Sequence, residues 1–185
     1  MPVSFLHPMN HRGQNTGCPP FLASLQARMR FAWFVIFVLL IGSPGAHADE
    51  LTGLVVGIAD GDTLRVLVDR REVRVRLDQI DAPEKAQAFG QRSRQSLAEM
   101  AFRQSARVVT HGTDRYGRTV GTVYVDGRDV NAEQVRRGLA WVYPRYAHDA
   151  ALYDLQRQAQ ADRRGLWADA DPVPPWEWRR SRRQR

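Results

Sequence analysis

The feature that most constrains the fold of this chain is a pair of segments in which apolar and polar residues alternate. Residues 64–68 read LRVLV, residues 73–77 read VRVRL, and the residues DRRE separate them. Alternation with a period of two is typical of β-strands that bury one face, so the pattern predicts an antiparallel hairpin. We expect Arg70 and Arg71 to form its loop, because that register places the large apolar residues on one face. The predicted pairs are Leu64 with Leu77, Val66 with Val75, and Val68 with Val73.

Three further strand-like segments and three helix-like segments complete the pattern. The strands are predicted at 51–58, 106–110 and 119–125, and the helices at 91–104, 130–138 and 151–165. Asn131 suits the N-cap of the middle helix, and Gly138 suits its C-terminal end. Five strands with a helix after the third and two helices at the end favour an α+β fold, a five-stranded OB-fold (Greek-key) β-barrel with three helices. An α+β sandwich of another topology fits the same pattern.

The N-terminal part of the chain has the pattern of an export signal. Residues 31–41 form an unbroken apolar run, two arginines precede it, and an A-x-A sequence ends at Ala48. This order is typical of a secretory signal peptide, which predicts cleavage after Ala48 and export to the periplasm or the medium. Met29 is the favoured start of a compact signal. Eleven apolar residues are too few to span a bilayer as a helix, although an uncleaved membrane anchor is the alternative.

Charge and cysteine content limit what the exported part can do. The only cysteine of the chain, Cys18, lies in the segment 1–48, so residues 49–185 have neither a disulfide nor a thiolate metal site. The whole chain has a net charge of +7, but the last ten residues alone hold five arginines and one glutamate. The domain organisation predicted is therefore an extension and signal peptide at 1–48, a nearly neutral barrel domain at 49–170, and an extended basic tail rich in Trp and Arg at 171–185.

Carboxylates gather at both ends of the predicted hairpin. In its register Asp62 faces Gln79, and Asp81 is a diagonal neighbour of Asp62 on the same face. Two such carboxylates repel each other unless a cation neutralises them, and oxygen ligands favour Ca²⁺ or Mg²⁺ over Zn²⁺. Because aspartate is also common in turns, a purely structural role is the alternative. Arg76 points away from this face and reaches the two acids only if the strand bends near residues 77–79.

Four motifs in order along the chain carry a resemblance to a known family. They are IADGDT at 58–63, RLDQIDAPE at 76–84, TDRYGR at 113–118 and VNAEQVRRGLAWVY at 130–143. Together they resemble the thermonuclease family, the micrococcal-nuclease-like OB-fold nucleases, from about Val55 to Trp167. The resemblance implies a Ca²⁺-dependent phosphodiesterase that acts on DNA and/or RNA. It implies no stable protein partner and no membrane association after cleavage of the signal, and a monomer is expected.

The resemblance also implies roles for individual residues. The Ca²⁺ ligands would be the side chains of Asp62 and Asp81 and the backbone carbonyl of Ala82. Glu84 would be the general base for the attacking water, although the residues alone leave open whether it is a true base. Arg76 and Arg118 are implied to be catalytic together with Glu84 and would hold the reacting phosphate. The residues implied to bind the rest of the substrate are Arg115, Tyr116 and Tyr143. Asp60 fits either a supporting acid or an ordinary turn residue.

Two other functions fit parts of the sequence. A non-catalytic OB-fold module could bind nucleic acid through aromatic side chains and arginines. Three carboxylates close together argue against it, because they repel the phosphate backbone unless a cation is present. Alternatively, the tail PPWEWRRSRRQR could be the main interaction surface. As an accessory element of a nuclease, this tail would raise the affinity for the substrate without taking part in the chemistry.

Overall fold

A computed structural model of the protein describes residues 49–184, and these residues lie within one compact unit. The predicted start at Met29, the apolar run and the signal cleavage after Ala48 concern residues 1–48, which lie outside the described residues. Within the described part of the chain, no helix is both long enough and apolar enough to cross a membrane.

The described chain contains eight strands and four α-helices. The strands are β1 (Glu50–Ile58), β2 (Thr63–Val68), β3 (Arg71–Leu77), β4 (Ile80–Asp81), β5 (Ser105–Thr113), β6 (Thr119–Val125), β7 (Arg128–Asp129) and β8 (Trp141–Val142). The helices are α1 (Gly90–Ala101), α2 (Val130–Arg136), α3 (Ala150–Ala161) and α4 (Pro175–Arg183), with a 3₁₀ turn at Gly165–Ala168.

The five long strands form a closed barrel. They are hydrogen-bonded in the order β3-β2-β1-β5-β6, and β3 also pairs with β6 in parallel, which joins the two edges. Closure leaves no long unpaired edge. The α+β fold class and the five-stranded OB-type barrel are therefore confirmed, with α1 inserted between the third and fourth long strands. The fourth helix, α4, lies in the tail that the sequence pattern predicted as extended.

The register of the hairpin differs from the predicted one by two residues. Thr63 lies opposite Arg76, Leu64 opposite Val75, and Val66 opposite Val73. The loop is Asp69–Arg70 and not Arg70–Arg71: both loop residues have positive φ angles, 46° and 67°. A two-residue loop with two positive φ angles matches the twist of the strands, and aspartate accepts this conformation more easily than most residues. The predicted pairs are wrong, but a shift of two residues leaves each side chain on the predicted face.

The core of the barrel consists of those inward-facing side chains and of residues from the helices. Its largest fully buried members include Leu64, Val66, Val75, Leu77, Leu97, Val108, Val123 and Val135. Each such side chain stabilises the fold by roughly 1.5–3 kcal/mol relative to exposure. Because Leu97 belongs to α1 and Val135 to α2, both helices are packed onto the barrel and can hold the loops beside them.

The N-cap of α2 is Asp129 and not Asn131 as predicted. The Asp129 side chain accepts a hydrogen bond from the backbone N–H of Ala132 at 2.9 Å. Asn131 is buried instead: its Oδ1 accepts from the N–H of Val123 at 3.1 Å, and its Nδ2 donates to the carbonyl of Asp78 at 3.1 Å. The buried amide thus fixes the segment that follows β3. The other end of α2 is followed, as predicted, by Gly138 in a left-handed conformation with φ 66°.

Candidate active site

The chain bends sharply where β3 ends. Gln79 has a φ of 63°, and the N–H of Asp78 donates to the carbonyl of Gly121 at 2.9 Å. After the bend, β4 leaves the barrel and pairs with β8, with Asp81 opposite Trp141. The sequence analysis expected Arg76 to reach the two acids only if the chain bends near residues 77–79, and this is that bend. It turns Asp81 back towards the end of β3.

Arg76 joins the two acids that the sequence analysis singled out. Its Nη1 lies 3.2 Å from Oδ2 of Asp62, and its Nη2 lies 3.0 Å from Oδ1 of Asp81. Asp62 is 6% exposed and Asp81 is 1% exposed. One guanidinium group therefore bridges two buried carboxylates, which is the arrangement that makes such burial tolerable.

Asp62 is held by its neighbours in sequence and in space. The hydroxyl of Thr63 donates to Oδ1 at 3.1 Å, and the backbone N–H of Ala82 donates to Oδ2 at 2.7 Å. The turn itself is tied to the helices, because Nε2 of Gln134 donates to the carbonyl of Gly61 at 2.7 Å. A Cβ at Gly61 would collide with the hydroxyl of Ser93, so only glycine allows this close approach.

The electrostatics of the acids show that negative charge is concentrated here. Burial raises the pKa of Asp81, and the charge of Asp62 adds to this, although contacts with Arg179 and Arg76 oppose it. Burial and the charge of Asp62 raise the pKa of Asp60 to about 7. Asp60 also accepts a hydrogen bond from the N–H of Asp62 at 3.2 Å, as both a supporting acid and a turn residue would. A site of this kind favours a bound cation.

Arg118 lies on the other side of Asp62. Its Nε and Nη2 each lie 2.7 Å from Oδ2 of Asp114, and its Nη1 donates to the hydroxyl of Thr63 at 3.2 Å. Burial opposes ionisation of Asp114, but hydrogen bonds from Arg118 and Tyr116 hold its pKa below the usual range. Because Thr63 in turn donates to Asp62, Arg118 is connected to the carboxylates through one hydroxyl group.

The aromatic residues expected to bind a nucleotide lie in two places. Tyr116 is 64% exposed in the loop between β5 and β6, and its hydroxyl accepts from Nη2 of Arg115 at 2.7 Å. Tyr143 follows β8, and one face of its ring is stacked on Trp176 with centroids 5.2 Å apart and an interplanar angle of 4°. Tyr116 is therefore largely exposed, with the guanidinium carbons of Arg115 and Arg118 at 4.8 Å and 5.7 Å from its ring centroid, whereas Tyr143 shares its ring face with α4.

One residue in the site was not found from the sequence. Arg179 of α4 places Nη2 at 2.7 Å from Oδ2 of Asp81 and Nη1 at 2.7 Å from Oε1 of Glu84. The sequence analysis assigned it to the basic tail, where five arginines follow one another closely and nothing distinguishes one from the next. The only sequence signal was Pro175, since proline is favoured at the first position of a helix.

The oxygens of the site are suited to a hard cation, but they do not form a complete metal centre by themselves. Among residues 49–184, no group of three or more His, Cys, Asp or Glu side chains is arranged to hold a metal ion. A cation would need the two buried carboxylates together with backbone or water oxygens. In the described structure Oδ1 of Asp62 and Oδ2 of Asp81 each accept one hydrogen bond, from Thr63 and Arg179, and a carboxylate oxygen has a second lone pair. The donor set is therefore of the all-oxygen kind that hard cations such as Ca²⁺ or Mg²⁺ prefer.

Comparisons with known proteins agree with this arrangement. The family model described as staphylococcal nuclease homologue matches residues 74–169. Micrococcal nuclease of Shigella flexneri is 46% identical over 155 residues, which cover 78% of this chain and 88% of that protein. Protein ParB of Escherichia coli is 50% identical over 159 residues, covering 80% of this chain and 89% of the relative. An uncharacterized endonuclease of Escherichia coli is 45% identical over 147 residues, covering 79% and 96%.

The matched region contains most of the residues discussed above, from Arg76 to Tyr143, within the barrel and its helices. The match extends over half of the chain, and the relatives are covered over most of their length. The chain therefore belongs to the staphylococcal nuclease homologue family.

Proposed function

We propose that this protein is an exported nuclease that hydrolyses phosphodiester bonds of DNA and/or RNA with a bound Ca²⁺ ion. The observation that carries the proposal is the bridge formed by Arg76 between Asp62 and Asp81, both of which are buried. Removing charged groups from water costs free energy, and this cost offsets much of their mutual attraction. The stability of the fold therefore gives little reason to place these charges at the end of the barrel. Membership in a nuclease family supports the same assignment.

The residues that would hold Ca²⁺ are Asp62, Asp81 and the backbone carbonyl of Ala82. When bound, the ion would supply positive charge to the phosphate oxygens, on which negative charge develops during hydrolysis. The arginines would share this task. Arg76 and Arg118 can each offer two N–H groups to one phosphate, a geometry that suits phosphate oxygens better than a single ammonium group does.

Glu84 is the residue proposed to act on the water. Its side chain is 42% exposed, and Arg179 joins its carboxylate to that of Asp81. In the proposed reaction the water oxygen forms a bond to phosphorus while the bond from phosphorus to the leaving oxygen breaks. The proton of the water passes to the Glu84 carboxylate, and the leaving oxygen takes up a proton from solvent and departs as the hydroxyl end of the cleaved strand. Arg115, Tyr116 and Tyr143 would hold the neighbouring phosphate or nucleotide, with Tyr116 more accessible than Tyr143.

The decisive experiment combines cleavage and binding. Purified residues 49–185 are incubated with single-stranded DNA, with Ca²⁺ in one sample and a chelator in the other. We expect cleavage only with Ca²⁺. Undiminished cleavage in excess chelator would refute the metal dependence. Binding without cleavage in both samples would instead support the non-catalytic OB-fold module.

Export is tested separately. We expect the full chain, when expressed in a bacterium, to accumulate outside the cytoplasm with Asp49 as its first residue. Cell fractionation followed by N-terminal sequencing measures this. An intact N-terminus in the membrane fraction would indicate an uncleaved anchor.

A further inference from the structure

Helix α4 is firmly attached beside the carboxylates. Pro175 is buried, and Trp176 stacks on Tyr143 and packs edge-on against Trp141 at 5.8 Å. Gln87 adds a second attachment, because its Nε2 donates to the carbonyl of Val173 at 2.6 Å. These contacts fix the start of α4 through two aromatic rings and a hydrogen bond, so the side chains one turn later have a defined position.

The same glutamine reaches the candidate general base. Oε1 of Gln87 accepts a hydrogen bond from the backbone N–H of Glu84 at 3.1 Å. The tail and the backbone of Glu84 are therefore held by one side chain. The loop from Glu84 to α1 and the segment before α4 behave as one structural unit, although 86 residues separate Gln87 from Val173.

Arg179 adds a third connection, because its guanidinium group donates hydrogen bonds to the carboxylates of Asp81 and Glu84. Its Nη1 and Nη2 lie 3.3 Å and 2.7 Å from the two oxygens of Asp81, and Nη1 also lies 2.7 Å from Glu84. Asp81 has a further partner, Arg76, whereas Arg179 is the one side chain that forms a hydrogen bond or ion pair with the carboxylate of Glu84 in the described structure. Without Arg179 this half-exposed carboxylate would be free to sample other rotamers.

We propose that Arg179 is a positioning residue for hydrolysis, which holds the carboxylate of Glu84 beside Asp81 and so places it for the attacking water. The proposal rests on the proposed function and extends it to α4, which lies beyond the region 74–169 that the family model matches. The physical reason is that a proton acceptor works only within hydrogen-bond reach of its water, and a fixed orientation removes the entropy cost of finding it.

The rival explanation for the same contacts is that Arg179 is an inhibitory latch, that is, a side chain that occupies the position of the cation. In that case α4 would have to leave before Ca²⁺ could bind, and removal of Arg179 would increase activity. The attachment of α4 through Trp176 and Gln87 argues against this explanation, because a helix that must leave the site should be held only weakly. Oδ2 of Asp81 also retains a lone pair beside its bond to Arg179, so a cation and the arginine can share this carboxylate.

The test uses Arg179→Ala and Arg179→Lys in the full chain, purified in the form that the host accumulates. Arg94→Ala is the control, since it removes the same charge from an exposed position of another helix, α1. The kcat and KM are measured on a short single-stranded DNA, and Ca²⁺ binding is measured by calorimetry without substrate. We expect Arg179→Ala to lower kcat about 10²-fold, the scale of a misplaced catalytic group, with KM within about threefold.

Two further results are expected if Arg179 positions Glu84. Arg179→Lys should recover about tenfold of the lost kcat, because one ammonium group keeps the charge but cannot form the fork that joins both carboxylates. Arg179→Ala should bind Ca²⁺ more tightly than the parent, because the positive charge of Arg179 beside Asp81, which repels a cation, is gone. Arg94→Ala should match the parent in kcat and in Ca²⁺ affinity.

The opposite results would overturn the proposal. A kcat of Arg179→Ala equal to that of the parent refutes positioning, and a higher kcat indicates the latch. Loss of kcat together with weaker Ca²⁺ binding shows general damage to the site, which also refutes it.

If Arg179→Ala does not fold, Arg179→Lys decides, since a kcat equal to the parent's contradicts the need for the fork. A parent that leaves DNA intact refutes the proposed function itself, whereas an active parent with an unaffected Arg179→Ala refutes this proposal alone.

Discussion

Two arginines reach Asp81 from very different parts of the molecule. Arg76 is five residues away along the chain, on a strand hydrogen-bonded on both sides within a closed barrel. Arg179 is 98 residues away, on a helix attached by aromatic stacking and one glutamine. Their side chains are 14% and 33% exposed. The comparison indicates that the position of Arg76 is fixed by the barrel itself. The position of Arg179 depends on how α4 packs against the rest of the molecule.

The largest effect is expected for Arg76→Ala. It leaves two buried carboxylates without their bridging charge, which costs about 3–5 kcal/mol of unfolding free energy, and it removes a phosphate-binding group. We expect kcat to fall by about 10³-fold or more, above the usual loss for one preorganised donor. Urea unfolding and cleavage assays measure the two effects.

Arg74→Ala is the control for Arg76→Ala, because Arg74 lies on the same strand with its side chain exposed. It should change neither stability nor rate appreciably. If Arg76→Ala were as stable as the parent, the bridge would contribute nothing to the fold, and the contrast between barrel and helix would be lost.

Arg118→Lys is expected to have the next largest effect. Arg118 is held by Asp114 and Thr63, and lysine keeps the charge but loses the planar fork. The rate should fall roughly 10²–10³-fold, while the unfolding free energy changes little. Steady-state kinetics with a circular dichroism melt as the folding check measures this. A variant that cuts as fast as the parent would show that Arg118 serves only the loop between β5 and β6.

Trp176→Ala examines the docking of α4 without removing a charge. Loss of the stack on Tyr143 and of the edge contact with Trp141 should allow α4 to detach part of the time, since an aromatic pair contributes about 0.5–1.5 kcal/mol beyond its buried area. We expect kcat to fall about tenfold, on the order of what one such pair provides. Trp178→Ala on the same helix is the comparison, and equal losses for both would indicate general loosening and not the stack.

The smallest effect is expected from the outer arginines of α4. Replacing Arg180, Arg182 and Arg183 by glutamine should raise KM and reduce the salt dependence of DNA binding, because fewer counterions are released. The kcat should be unchanged, since Arg179 remains. This variant is a better test of the affinity hypothesis than truncation after Pro175, which would remove Arg179 as well. Equal salt slopes for parent and variant would exclude these arginines as contacts to nucleic acid.

The position of the acids and the strand pattern were accessible from the sequence because they depend on local order. Alternation in 64–68 and 73–77 predicted the hairpin and its buried face, and a two-residue error in register did not change that face. The motifs around Asp62 and Glu84 predicted a site at the end of the hairpin. The catalytic and ligand roles of these residues stay predictions, because they concern substrate and Ca²⁺.

The tertiary structure alone decided the contacts between distant parts of the chain. The bend at Gln79 is stabilised by Asn131 and Gly121, which come more than forty residues later, so no local pattern could place Arg76 between the acids. The docking of α4 joins Trp176 to the rings of Trp141 and Tyr143, which belong to a segment more than thirty residues earlier, and it selects Arg179 from among five neighbouring arginines. The sequence determined by itself which charges the protein has and where its strands lie. Packing decided which of those charges meet, because contacts between residues far apart in the chain form only when the whole barrel is closed.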